Sequence, residues 1–286
     1  MKLSTSVNLY SVRKDGNIAE LMIHGVGVCK KAGYDAIDLS LGPMQDEPLD
    51  YQERWIDLVN EEMDRLHVRA SQSHSYLLNT RFLDDDGIKR YVSLLRRSIE
   101  VASRLGIPHL VVHPLCLVRS KGVGERESLS RNKELFRSLA DDLEKYHVVA
   151  ALENLPNTEY DRAEKLLELY EAIDVPSCFG FCWDTGHANL VAGVKDRQPE
   201  NIRMLGTKLT CTHIQDNHGE KDEHLMPMMG DIVWPPIVQA LKCSGYEGDF
   251  TYESAQPVRY LPDDDILREK FMSYTVNLGR YLLRMY

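Results

Sequence analysis

The sequence predicts an α/β protein built as a closed (β/α)8 TIM barrel, and three observations predict it. Short apolar runs alternate with stretches of helical periodicity through the whole chain. Parallel neighbours need a crossover and a helix supplies it, so strict alternation implies a parallel sheet. Eight such units in 286 residues fit a closed ring better than an open sheet. No Gly/Ser-rich linker or low-complexity tract divides the chain, so residues 1–286 are expected to form one domain.

The elements follow in order. Leu3 to Asn8 is a first strand; Ile18, Leu21, Met22, Val26, Cys29 and Ala32 then recur at helical spacing, with Gly33 as the stop before a strand from Ala36 to Leu41. Trp55, Leu58, Val59, Met63 and Leu66 mark a helix, and Val68 to His74 a third strand. Ile88, Tyr91, Val92, Leu95, Ile99, Ala102 and Leu105 form an amphipathic stripe closed by Gly106 and Pro108, followed by a strand from His109 to His113. Leu135 to Tyr146 is a helical face before the strand Val148–Glu153, and Ala163 to Ile173 another before Phe179–Asp184. A short helix around Ile202 to Leu205 precedes Lys208–His213, Trp234 to Leu241 precedes Asp249–Glu253, and a helix from Asp264 to Arg284 ends the series.

The last residues of six of these strands are His74, His113, Glu153, Asp184, His213 and Glu253. In a parallel barrel all six project at the carboxyl rim, where active sites lie. Any one of them has a plain alternative, as Asp184 does in capping the helix that follows. Six together point to a divalent metal site. Glu153, Asp184, His213 and Glu253 offer three carboxylates and an imidazole, a set that suits Mn2+, Co2+, Mg2+ or Zn2+ and not copper or an iron-sulfur cluster. His187, past the turn at Gly186, could face the same cavity. Asp222 and His224, two apart in an extended loop, are candidates with His187 for a second metal or a substrate hydroxyl; the plain alternative is a solvated charged loop. His74, His113, His187 and Trp183 are the expected substrate contacts; Trp183 and Trp234 could floor a sugar, with buried packing as the plain alternative. Arg13, Arg119, Lys121 and Lys221 could reach a phosphate from rim loops. His24, His67, His109, His147 and His218 are taken as ordinary surface.

Composition narrows the function classes. A net charge of −10 opposes a polyanionic partner, so nucleic acid is not expected to be the main one. No apolar signal core and no spanning run is present, and a cytoplasmic, non-membrane protein is expected. The six cysteines include no Cys-x-x-Cys and are expected to be structural thiols. Gly25-Val26-Gly27 lacks the third glycine of a dinucleotide fingerprint, and neither a Walker sequence nor a Gly-x-Ser-x-Gly elbow occurs. Homo-oligomer formation is left open.

Leu152-Glu153-Asn154, Trp183-Asp184-Thr185-Gly186-His187, His213-Ile214-Gln215-Asp216-Asn217 with Asp222-x-His224 behind it, and Tyr246-Glu247-Gly248 before Tyr252-Glu253 resemble motifs of the xylose isomerase-like barrels across essentially the whole chain. That superfamily includes sugar and sugar-phosphate isomerases and epimerases, inosose dehydratases and the AP endonuclease family 2 (endonuclease IV) enzymes. The resemblance implies one divalent metal at Glu153, Asp184, His213 and Glu253, with Glu153 and Glu253 as catalytic acid and base on a small carbohydrate or polyol. In the endonuclease branch nine ligands hold three zinc ions, and this chain has a counterpart for each: His74, His113, Glu153, Asp184, His187, His213, Asp222, His224 and Glu253. Two departures stand out: Pro227-Met228-Met229-Gly230 carries methionine where glycine is usual, and no basic DNA-facing run is found. The expected activity is therefore a metal-dependent sugar or sugar-phosphate isomerase/epimerase. The alternatives are an inosose-type dehydratase, an endonuclease IV-like phosphodiesterase, and a metal-stabilised binding barrel without turnover.

Overall fold

Eight parallel strands form one sheet in the order β7-β6-β5-β4-β3-β2-β1-β8 in the computed structural model, which describes residues 1–7, 18–254, 261 and 264–285. The strands are β1 (Leu3–Ser6), β2 (Ala36–Asp38), β3 (Ala70–His74), β4 (His109–Val112), β5 (Val149–Glu153), β6 (Phe179–Asp184), β7 (Leu209–His213) and β8 (Phe250–Tyr252). β1 pairs with both β2 and β8. The ring closes between β7 and β8, where Ile214 N donates to Thr251 O (2.8 Å) and Glu253 N to Ile214 O (3.1 Å). The Thr212 hydroxyl supplements this short ladder, accepting from Thr251 N and donating to Asp249 O.

The crossovers carry α1 (Ile18–Ala32), α2 (Leu49–Leu66), α3 (Asp85–Arg104), α4 (Val118–Lys121), α5 (Glu125–Arg137), α6 (Ala140–Tyr146), α7 (Ala163–Ile173), α8 (Thr185–Asn189), α9 (Gln198–Leu205), α10 (Trp234–Cys243) and α11 (Asp265–Met285). The stripe read on α3 is its buried face, with Tyr91, Leu95, Ile99 and Ala102 turned to the sheet, and the Asp84 carboxylate caps its start by accepting from Gly87 N at 2.8 Å. A cap of this kind contributes about 1 kcal/mol. The helical face expected from Leu135 to Tyr146 is split into α5 and α6, with Ser138 and Leu139 between them. His67 and His147, expected to be plain surface residues, are the left-handed C-caps of α2 and α6, at φ 51° and 54°.

Strand alternation sorts side chains into two sets. One set faces the helices and joins the large apolar core, for example Phe181 and Trp183 of β6. The other faces the barrel axis, where Val111, Ala151, Cys182 and Cys211 form a small, fully buried cluster. The next inward positions along these strands are His113, Glu153, Asp184 and His213, so the polar residues stand on an apolar floor. His113 and Glu253 lie one residue beyond their strands, and the first strand's expected end at Asn8 falls outside the described residues. No helix among the described residues is long and apolar enough to cross a membrane.

Candidate active site

Glu153 is the hub of the carboxyl mouth. Its side chain is only 1% exposed, and its two oxygens face different neighbours. Oε1 lies 2.7 Å from His213 Nδ1 and 3.5 Å from His187 Nδ1, while Oε2 lies 2.8 Å from His113 Nε2 and 3.4 Å from His74 Nε2. Three groups of metal-competent atoms share this one carboxylate: His74, His113 and Glu153; Glu153, Cys182 and His213; and Glu153, Asp184, His213 and Glu253, the atoms of each group lying within 4.8 Å of one another. The strand ends chosen from the sequence therefore do converge.

Asp184 acts in both of the ways the sequence allowed. Its Oδ1 accepts from His187 N at 2.7 Å, which caps α8, and its Oδ2 turns to the cluster, 3.6 Å from His187 Nδ1 and 3.9 Å from His213 Nδ1. The Asn154 side chain holds the Asp184 backbone at both ends, accepting from its N–H and donating to its carbonyl. Gln215 Nε2 donates to Asp184 Oδ2 (3.2 Å) and to Asp222 Oδ1 (2.9 Å), tying the loop after β7 to β6. That tie needs Gly186, because a Cβ there would sit 2.2 Å from Gln215 Oε1.

Asp222 and His224 belong to this mouth and not to a free solvated loop. Asp222 Oδ2 lies 3.5 Å from His187 Nε2 and 3.1 Å from His224 Nε2. Both rings are oriented from behind, His187 Nδ1 against Asn154 O (2.9 Å) and His224 Nδ1 against Glu253 O (2.8 Å). The loop itself hangs on Asp216, whose buried carboxylate accepts from the backbone N–H groups of Asn217, Met228 and Ile232 and from Trp234 Nε1. Met228, where glycine was expected, takes the left-handed conformation itself, at φ 70°.

Trp183 corrects the sequence reading. It was expected to contact substrate, but with Asp184 pointing inward its neighbour must point outward, and it is 0% exposed, with Nε1 donating to Gln198 on α9 at 3.3 Å. It packs the helix layer. Trp234 is likewise buried, and Lys121 Nζ donates to the carbonyl of Leu83. Arg13 and the side chain of Arg119 lie outside the described residues. Sequence reasoning missed Asp38, Gln72, Asn154 and Gln215 as parts of the site. Asp38 had a signal, an acid in the middle of an apolar strand; it is 1% exposed, with Oδ2 accepting from Gln72 Nε2 at 3.0 Å.

Charge in this enclosed space is out of balance. Burial pushes the Asp184 carboxyl up to about 7; His187 pulls it back, while Glu253, Glu153 and Asp222 push it further. Burial also opposes ionisation of Glu153, but His213, His113 and His74 outweigh it and hold that carboxyl well below the usual range. Glu253 is lowered against burial by His213 and His224. His187 is raised to about 10 against burial by Asp184, Asp222 and Glu153, and His224 to about 9 against burial by Asp222 and Glu253. A divalent cation fits this donor set. Three carboxylates within reach of one imidazole repel one another unless a proton or a cation sits between them, and that repulsion adds to the burial that raises Asp184.

Residues 26–272 match a family model described as a xylose isomerase-like TIM barrel. The chain belongs to that family. Among curated members, an uncharacterised protein of Sinorhizobium fredii is 34% identical over 173 residues, covering 57% of this chain and 52% of that protein, so the chain spans about half the length of this relative. An inosose isomerase of Halalkalibacterium halodurans is 22% identical over 254 residues, 84% of each chain. A probable endonuclease 4 of Thermotoga maritima is 31% identical over 167 residues, 52% of this chain and 55% of that one. Among solved structures, a D-psicose 3-epimerase from Clostridium cellulolyticum H10, crystallised with D-tagatose, superposes with a TM-score of 0.76 at 17% identity over 99% of both chains. The IolI protein with a binding zinc atom gives 0.77 at 19% identity, covering 100% of this chain and 99% of that one. At these identities the superpositions establish the barrel fold alone.

Proposed function

We propose that the protein is a divalent-metal-dependent isomerase or epimerase of a sugar or sugar phosphate, its 286 residues acting as one barrel domain. Glu153, Asp184, His213 and Glu253 would hold the metal, and Glu153 and Glu253 would serve as the acid/base pair. The observation that carries this reading is the placement of these two glutamates, from β5 and the end of β8, around the same His213 nitrogen, 2.7 Å and 3.4 Å away. The relatives and structural neighbours named as isomerases and epimerases support it.

Both glutamates are held in the ionised state, the state that accepts a proton. One takes the proton from the carbon next to the substrate carbonyl, and its electron pair moves toward the carbonyl oxygen. The other first takes a proton from solvent and returns it to carbon as the electron pair re-forms the C–H bond, while the first gives its proton up to solvent; return from the opposite face inverts the centre. A positioned base supplies roughly 10²–10⁴-fold, about 3–5.5 kcal/mol, against the roughly 8–23 kcal/mol typical of enzymes. A bound divalent cation would supply Lewis-acid stabilisation of the charge that develops on oxygen. His74, His113 and His187 line the same mouth and are assigned to substrate hydroxyls, with the apolar floor below them. Mn2+, Co2+, Mg2+ and Zn2+ all suit the donors. The reading is tested with a panel of ketoses, ketose phosphates and inososes in deuterated water. Glu153→Gln and Glu253→Gln should each abolish exchange of the carbon-bound hydrogen, and exchange persisting in both variants refutes the two-glutamate scheme.

A second reading, a zinc phosphodiesterase like endonuclease IV, is favoured by one observation: His74 and His113 beside Glu153, and His187 and His224 beside Asp222, give each of the nine counterpart ligands a place at the mouth. It requires three metals per chain and incision of abasic duplex DNA. One metal per chain together with no incision removes it.

A further inference from the structure

We propose that Asp38, on β2, is a positioning residue that fixes the tautomer of His213 so that Nδ1 is the nitrogen offered to a metal ion. The inference rests on the reading of His213 as a ligand and says which residue makes it one.

The Nδ1 atom of His213 faces the ligand cluster, with Glu153 Oε1 at 2.7 Å, Glu253 Oε2 at 3.4 Å and Asp184 Oδ2 at 3.9 Å. A neutral imidazole carries one proton, so Nδ1 can donate its lone pair only if that proton is on Nε2. Left to the mouth alone, the proton has a reason to stay on Nδ1, which is at hydrogen-bond distance from Glu153. Something behind the ring must favour Nε2–H.

His213 Nε2 is a buried atom with no hydrogen-bond partner, and so is Asp38 Oδ1. Buried polar atoms without partners are uncommon. Here they belong to two side chains that face each other: Asp38 Oδ2 lies 3.6 Å from Nε2, and both residues are 1% exposed. A ring movement of about 0.6 Å closes this to an ordinary N–H···O bond. Asp38 cannot readily turn away, because Gln72 Nε2 donates to its Oδ2 at 3.0 Å and Gln72 is itself braced by the Thr251 hydroxyl (3.2 Å) and the Thr212 carbonyl (3.3 Å). β2, β3, β7 and β8 thus hold one carboxylate behind one imidazole. A carboxylate in this position sets ring orientation and raises the basicity of the ligating nitrogen, and losing it typically weakens metal binding by about 10–100-fold.

The test measures zinc affinity by competition with a chelator, and the His213 tautomer by 15N-histidine NMR of the zinc-loaded protein. The wild type should carry its His213 proton on Nε2. Asp38→Leu should bind zinc about 10–100-fold more weakly, and Asp38→Asn should fall between, because the amide oxygen still accepts from Nε2–H but carries no charge. A folded Asp38→Leu protein that binds zinc within two-fold of wild type overturns the proposal, as does a wild-type His213 with its proton on Nδ1. If Asp38→Leu does not fold, the near-isosteric Asp38→Asn and the wild-type spectrum decide the matter. Zinc binding that depends on Asp38, in a protein that exchanges no ketose hydrogen, sustains this inference and removes the functional reading. A wild type that binds no zinc overturns both.

Discussion

Loading Glu153, Asp184, His213 and Glu253 with a divalent cation should expel protons, in a number that changes with pH. These groups ligate as carboxylates and as neutral imidazole, so any proton they hold beforehand must leave. Glu153 and Glu253 are lowered and contribute none near neutrality. Asp184 titrates at about 7, so it is about nine-tenths protonated at pH 6 and about one-tenth at pH 8. His213 stands above the usual imidazole value; burial opposes this, but Glu253, Glu153 and Asp38 around the ring outweigh it, so His213 adds to the release. Asp184 therefore makes the release larger at pH 6 than at pH 8, by most of a proton per cation. Because protons are released, affinity rises with pH across those two units. Calorimetric titration with Mn2+ in buffers of different ionisation enthalpy measures the number directly at each pH. Asp184→Asn should remove most of the difference between the two pH values. A wild-type release that is equal at pH 6 and pH 8, or below about half a proton at pH 6, refutes the charge assignment.

Three further outcomes are expected. His187 and His224 are raised above their ordinary value, so the stability they contribute is complete below about 6.5 and is lost as pH rises through about 10 and about 9. The melting temperature of the chelated protein should therefore fall between pH 7 and 10, and a flat profile contradicts this. Met228→Gly should stabilise by about 0.5–1 kcal/mol, since it relieves a left-handed residue that is half exposed, whereas Met228→Val should destabilise; denaturant titration reads both. Gly230→Ala should cost about 2 kcal/mol or more, because a Cβ there would lie 2.4 Å from Asp216 Oδ1 and 2.5 Å from the Asn217 carbonyl; unchanged thermal unfolding would show that the loop gives way easily.

What the sequence showed, and what it hid, follows from distance along the chain. Strand ends are local features, and once eight alternations imply a barrel, the rim position of Glu153, Asp184 and His213 follows from topology alone. The misplacement of Trp183 was avoidable, since the two-residue period of a strand sends the neighbour of an inward Asp184 outward. Asp38 was visible as an acid in an apolar strand, but its role was hidden because its partner, His213, is 175 positions away and on a strand that is not its neighbour in the sheet. The Asp216 hub was hidden for a related reason. An Asp in a loop named for its charge gives no sign that three backbone N–H groups and an indole will fold back onto it.

The apolar plug of Val111, Ala151, Cys182 and Cys211 makes the barrel a dead end. Whatever enters at Glu153 must leave by the door it came through, so a reactant, its product and any exchanging ion compete for one vestibule. Turnover then depends on how the segments around that doorway clear it. The loop suspended from Asp216, which carries Asp222 and His224, is the structure best placed to govern the traffic.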